Sequence, residues 1–334
     1  MTPIAPEITH GSQPEALLAA HSVDEFVSSV PNIEEARHFY TSLGLEVRNL
    51  DGGLALHTYG HSHCRARVLP STISGATKCI LWLTLGIHEM DMQRFELHFA
   101  EREIARIEPP SEADAGGIWI EGPDGLALQL RVTENTSPSL PAPREFTLEN
   151  RNVGRSSSRG KLPAVRPLYL SHILLFSADV DAATRFYEEI AGLRLSDKSG
   201  ALIAFLHSPH GSDHHLIALA KSDGVVLHHS SWCVSSINSV GLGAQQMVEA
   251  GYVQGRGVGR HGLGSNYFRY VRDPWGSYAE YSYDIDLIEA GADWPSADHP
   301  GEDSLYAWGP SLPEGFIVNY KLPTLSASDV RELP

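Results

Sequence analysis

The feature that most constrains this chain is a pattern met twice. "EFVSSVPNIEEARHFYTSLGLEV" from Glu25 and "HILLFSADVDAATRFYEEIAGLRL" from His172 each run from an apolar strand through a polar turn into a helix with Phe-Tyr near its end. In the second copy Ala183, Phe186, Tyr187 and Ile190 fall at i, i+3, i+4 and i+7, which is one face of a helix. Asp181 or a near neighbour can accept the first free N–H groups, and Gly192 suits the position past the end, where positive φ is easy. Asn32, Ile33, Ala36, Phe39, Tyr40 and Gly44 repeat the scheme. Alternating apolar runs with glycine turns follow, "LALHTYG" and "GGIWIEGPDGLALQLRV" in the first half, "ALIAFLHSPHGSDHHLIALA" and "NYFRYVRDPWGSYAEYSY" in the second. A further helix is expected over about residues 236–250, stopping at Gly251. The reading is an α+β chain built from repeated βαβββ modules.

At 334 residues the length suits two domains. Residues 134–167 combine prolines, serines and basic side chains with little apolar periodicity, as an exposed connection does. The expected division is 1–135, a linker over 136–166, a second domain over 167–320 and a tail over 321–334. A formal charge of −16 argues against a nucleic-acid partner, which needs a surplus of Lys and Arg. Cys64, Cys79 and Cys233 show no CxxC spacing, so neither a disulfide framework nor a thiolate zinc site is expected, and a reducing cytoplasm fits. No leader or membrane span is read from the chain.

The second half concentrates His172, His207, His215, His228, His229 and Glu280 in its strand patterns. Any one histidine there has an ordinary packing explanation. Two imidazoles and a carboxylate from different strands of one sheet are another matter, because that face leaves coordination positions open on a non-haem Fe(II) or Mn(II). In "SYAEYSYD" Glu280 shares a strand face with Tyr278 and Ser282, and a carboxylate turned into a sheet interior is costly unless paired or metal-bound.

The segment "GRHGLGSNYFRYVRDPWGSYAEY" closely resembles the C-terminal signature of the type I extradiol ring-cleaving dioxygenases in the vicinal oxygen chelate superfamily, with His261, Tyr270 and Glu280 at the family's spacing. "LSHILLF", "HHLIAL" and "LHHSSW" resemble the strands that bear its first ligand, an active-site histidine and the second ligand. The likeness is close over about residues 165–320 and looser in the first half. Among these enzymes it resembles metapyrocatechases and 2,3-dihydroxybiphenyl dioxygenases, the tail "EDSLYAWGPSLPEGF" favouring the former.

The resemblance implies a glyoxalase-like fold of two domains, each of paired modules forming an open barrel-like sheet. It implies His172, His229 and Glu280 as ligands of Fe(II), with Mn(II) as the alternative, and O2 as co-substrate. His215 is implied as the acid-base group, with His261 and Tyr270 hydrogen-bonding a substituted catechol that opens to a muconic semialdehyde-type product. A non-redox isomerase or thiol transferase of the same superfamily is the rival, and a silent small-molecule binder the weaker one. Homo-oligomers are the base expectation.

Strand alternation expects His228 on the face opposite His229, as packing or a hydrogen-bond partner, so that His228→Ala keeps the metal. By the same token His214 is expected outward of His215 or behind it. Superposing the repeats sets Glu25 opposite His172, Arg65 opposite His215 and Gln129 opposite Glu280, which does not reproduce a metal face. His57, His61 and His63 are read as residues of a surface turn, and Trp294 and Trp308 as packing rather than cover for the substrate mouth.

Overall fold

The computed structural model describes residues 17–72, 77–141 and 158–320. Residues 1–16 of the expected first domain, 142–157 of the expected linker and the expected tail 321–334 lie outside the described residues. The first half runs β1 (Ser22–Val30), α1 (Ile33–Ser42), β2 (Glu46–Leu50), β3 (Gly53–His57), β4 (Ala66–Pro70), β5 (Cys79–Ile87), α2 (Met92–Glu101), β6 (Ile118–Glu121) and β7 (Ala127–Val132). The second runs β8 (Tyr169–Ser177), α3 (Val180–Ala191), β9 (Arg194–Ser199), β10 (Ile203–His207), β11 (Ser212–Asp213), β12 (Ile217–Lys221), β13 (Leu227–Cys233), α4 (Ile237–Glu249), β14 (Gly255–Arg260), β15 (Tyr267–Arg272), β16 (Tyr278–Tyr283), β17 (Leu287–Ile288), β18 (Ala297–Asp298) and α5 (Gly301–Ser304).

One sheet has the order β2-β3-β4-β1-β5-β7-β6 and the other β14-β15-β16-β13-β8-β12-β10-β9-β18. Apart from the added β18, the second is the first with one more strand, β14. Neither sheet closes. Within each module the first and last strands are parallel, and paired modules meet antiparallel along β1/β5 and β8/β13. Three modules follow the βαβββ plan. In the fourth the outer strand is reduced to a single bridge between Arg106 and Ile120.

The helix ends follow local chemistry. Asn32 accepts from the N–H groups of Glu34 and Glu35 at 3.1 and 3.2 Å. In α3 the cap is Asp179, two residues before Asp181, and it accepts from Ala182 N at 2.9 Å. Ser236 caps α4. Gly192 ends α3 at φ 69°, and a Cβ there would lie 2.1 Å from Leu18 O, so only glycine allows the two halves to approach at this point. One apolar core runs through both halves.

The first half braces the strand that carries Glu280. On the far face of β16 Tyr281 donates its hydroxyl to Leu43 O at 2.8 Å, and α4 presses against the same ring through Gly243, where a Cβ would come within 2.7 Å of it. Buried Lys78 pairs with Asp273 at 2.7 Å, and Asp273 holds the β15–β16 turn through the N–H groups of Trp275 and Ser277. Among the described residues no helix is long and apolar enough to cross a membrane.

Candidate metal centre

Strands β8, β13 and β16 lie side by side, and Ser231 of β13 stands opposite both His172 of β8 and Glu280 of β16. Laterally paired residues share a face, so these form a row in which the small serine leaves its larger neighbours room to converge. His229 stands one pleat along β13. The donor atoms of His172, His229 and Glu280 all lie within 4.8 Å of one another, and all three residues are buried. Glu280 Oε2 is 3.3 Å from His172 Nε2 and 3.6 Å from His229 Nε2.

Strict alternation would send His228 away from this face, and the structure corrects that expectation. The pairing of β13 with β8 shifts register between Leu227 and His229, so His228 is the extra residue of a bulge, and both rings border one cavity. His228 Nδ1 lies 2.7 Å from His229 Nδ1, while His228 Nε2 lies 2.7 Å from Phe316 O. A carbonyl only accepts, so His228 carries its hydrogen on Nε2 and accepts at Nδ1 from His229. That leaves His229 Nε2 as a lone pair aimed at Glu280. His172 is set likewise, since the Ser171 hydroxyl donates to Asp213 and so accepts from His172 Nδ1 at 3.2 Å.

Burial lowers the pKa of His172 and pushes that of His229 well below the ordinary histidine range, so both rings are neutral. For Glu280, burial works to raise the pKa, but its polar neighbours, the His172 and His261 imidazoles first, outweigh burial and hold it well below the usual carboxylate range. A buried carboxylate among neutral imidazoles calls for a cation. Consistent with that need, His229 Nε2 and Glu280 Oε2 are buried without a hydrogen-bond partner.

The other sequence candidates gather round the same cavity. His215 packs on His172 with ring centroids 4.0 Å apart, and burial among other imidazoles drives its pKa well below the ordinary range. His214, the outward or backing neighbour in the sequence reading, is fully buried behind it, Nδ1 to Nδ1 at 3.0 Å. His261 Nε2 is 2.9 Å from the Tyr270 hydroxyl and its Nδ1 donates to Leu305 O at 2.6 Å. Burial and then Glu280 push the Tyr270 phenol well up, so it remains a donor. Apolar walls come from Leu174, Phe205, Leu263 and Phe316.

Sequence reasoning missed Asn266, Arg256, Leu305 and Phe316 as residues of the site. Asn266 Nδ2 donates to Glu280 Oε1 at 3.3 Å and to Ser282 Oγ at 3.1 Å, and its place in "GSNYF" within the signature was the available signal. Arg256 borders the cavity with its guanidinium carbon 4.6 Å from the Tyr306 ring centroid and 5.0 Å from that of Phe268, and its Nη2 has no hydrogen-bond partner. Leu305 and Phe316 supply wall and carbonyls from far along the chain. Trp294 and Trp308 lie outside the lining; Trp294 packs edge-on to His214 at 5.2 Å and Trp308 on Tyr267 at 6.0 Å.

In the first half Glu25 does fall opposite His172 and Gln129 opposite Glu280, but Arg65 aligns with Leu216, because Phe26 N bonds Arg65 O as Ile173 N bonds Leu216 O. Cys64 therefore takes the place of His215. Of the turn histidines, His61 is exposed, buried His57 bonds His63 O at 2.9 Å, and His63 pairs with Asp24 at 3.1 Å.

The family model for the Glyoxalase/Bleomycin resistance protein/Dioxygenase superfamily matches residues 169–281. Metapyrocatechase 2 of Cupriavidus necator is 43% identical over 303 residues, 90% of this chain and 92% of that one. Among solved structures, the Mn(II)-bound glyoxalase of Novosphingobium aromaticivorans superposes with a TM-score of 0.68 at 20% identity, covering 89% of this chain and 94% of that one. A variant of homoprotocatechuate 2,3-dioxygenase from Brevibacterium fuscum superposes at 0.70 with 16% identity, covering 93% and 84%.

Proposed function

The chain belongs to the extradiol dioxygenases of that superfamily, and from this premise we propose that it opens the ring of a substituted catechol with O2 at one Fe(II) held by His172, His229 and Glu280. The carrying observation is the buried set of donors with two atoms lacking any partner inside the protein. When bound there, ferrous iron supplies the redox coupling between O2 and an electron-rich catecholate that no side chain provides.

The chain's own residues do the rest. One carboxylate against a dication leaves net positive charge at the base of the cavity, which favours a catecholate anion, and Arg256 adds to that field. Leu174, Phe205, Leu263 and Phe316 clasp a flat ring and exclude water. Neutral His215 accepts a hydroxyl proton from the substrate at Nε2 and later returns it as the ring opens. With the hydrogen of His261 given to Leu305 O from Nδ1, Tyr270 rests with its one hydrogen on His261 Nε2 across their 2.9 Å bond, and turns that hydrogen to a substrate oxygen when one enters. The product is a muconic semialdehyde-type acid. Residues 17–135 are assigned a scaffold role, and residues 167–320 the chemistry. Cytoplasmic location and homo-oligomers belong to the same reading, the latter checked by light scattering.

Protein purified without air should hold about one iron per chain and, on admitting air, turn catechols yellow while consuming O2. Mn(II) suits the same donors, and metal analysis decides between the two. Turnover of a thiol adduct by iron-free protein without O2 would instead establish the isomerase reading.

A further inference from the structure

Asp197 sits on β9, buried at 5% exposure, and its carboxylate is the focus of converging donors. His214 Nε2 approaches Oδ2 at 2.8 Å and Trp294 Nε1 the same oxygen at 3.3 Å. Oδ1 receives His299 Nε2 at 2.8 Å and Ala297 N at 3.0 Å. Burial opposes the charge, but the hydrogen bonds from His214 and His299 outweigh it and hold the pKa at about 2. An ionised carboxylate only accepts, so His214 must carry a hydrogen on Nε2. In the neutral ring Nδ1 is then a lone pair, and it faces His215 Nδ1 at 3.0 Å. One of two facing nitrogens has to donate, and only His215 has the hydrogen to give.

We propose that Asp197 and His214 are positioning residues that fix the tautomer of His215, placing its hydrogen on Nδ1 and keeping Nε2 as the free base at the substrate cavity. The inference rests on the reading of His215 as the acid-base group. It gives a task to the segment 294–299, which lies outside the cavity lining yet supplies three of the donors that hold Asp197. The rings are locked by packing as well, Trp294 edge-on to His214 at 5.2 Å and Phe205 against His215 at 4.9 Å. The His228–His229 pair uses the same logic with Phe316 O in place of the carboxylate. In each His-His dipeptide the first ring writes the protonation pattern of the second.

The test is steady-state ring cleavage by the full-length iron-loaded enzyme under air with catechol. Asp197→Asn keeps the shape but lets an amide N–H donate to His214 Nε2, which reverses the chain and puts the hydrogen of His215 on Nε2. The expected result is a loss in kcat of about 10²-fold or more, with KM and iron content within about twofold. His214→Phe should lose as much. His214→Gln, whose amide offers the same donor and acceptor, should stay within about tenfold of the parent. In the His215→Ala background Asp197→Asn should cost nothing further. An unchanged kcat in Asp197→Asn overturns the proposal. So does an equal proportional loss with and without His215, since that is the mark of a strap merely loosened. Normal turnover by His215→Ala alone would instead show the acid-base reading to be at fault.

Discussion

Position for position, the two sheets differ at few places that matter. Where the second has His172, His229, Glu280 and Tyr270, the first has Glu25, Trp82, Gln129 and Trp119, and Thr84 replaces the central Ser231. Glu25 is not short of a polar group to hold; Arg67 grips it with two bonds of 2.8 Å and lies 5.1 Å over Trp82. Gln129 is occupied too, accepting from Thr84 Oγ1 at 2.8 Å and donating to Gly116 O at 2.7 Å. His261 has no counterpart, because the strand that would lead to it is reduced to one bridge. The module therefore does not dictate chemistry. What separates the halves is the kind of group left over: the first face ties up Glu25 and Gln129 and leaves the Trp82 indole N–H, a donor that no cation can use, whereas the second leaves His229 Nε2 and Glu280 Oε2 3.6 Å apart without hydrogen-bond partners.

That contrast can be broken or sharpened in graded steps. Glu280→Gln makes the second sheet match the first at one point, and should strip bound iron to background and cut O2 uptake by about 10³-fold or more. The reverse change, Gln129→Glu, should gain no iron by metal analysis, because Trp82 and the Glu25–Arg67 pair still fill the face. Lys78→Met leaves Asp273 charged and buried between the halves, and should cost about 3–5 kcal/mol in denaturant unfolding, partly recovered by adding Asp273→Asn.

Acid provides a comparison of one histidine in each half. Burial, with His88 beside the first and His214 beside the second, brings His21 and His207 from 6.5 down to about 4. The unfolded chain then binds protons that the folded one refuses, so the stability is complete above pH 6.5 and drains away as pH falls through 4. Each ring should contribute about 3 kcal/mol at neutral pH, and His21→Gln or His207→Gln should flatten the pH-stability curve over that window. His228→Ala should weaken iron binding by about 10–100-fold in chelator competition, in place of the neutral result alternation implies. His61→Ala, on the exposed first-half turn, should stay within about 0.5 kcal/mol and leave iron content alone.

What could be read from the sequence was what local chemistry decides. Helix starts at Asn32 and Ser236 and stops at Gly192 and Gly251 follow from caps and φ preferences, and the apolar stripe of α3 from period alone. Helix α2 escaped because exposed Leu97 and Met90 blur the stripe made by Phe95 and Phe99. Glu280, His261 and Tyr270 were legible because one signature spans neighbouring strands, and His172, His215 and His229 because short runs on other strands resemble the same family. The bulge at His228 was not, since it arises from pairing with β8, remote in sequence. Nor were Asp197, Leu305 and Phe316, whose roles depend on segments brought together only by the tertiary fold.

Two of these imidazoles give a hydrogen to main-chain oxygens at Leu305 and Phe316. During synthesis His228 and His261 leave the ribosome well before those oxygens exist, so both rings wait with an unassigned hydrogen while the sheets behind them pack. On the proposed reading metal loading would for that reason come late in the life of a nascent chain, and cutting the polypeptide between residues 300 and 304, past the last strand but before Leu305, should yield folded sheets that hold their metal poorly.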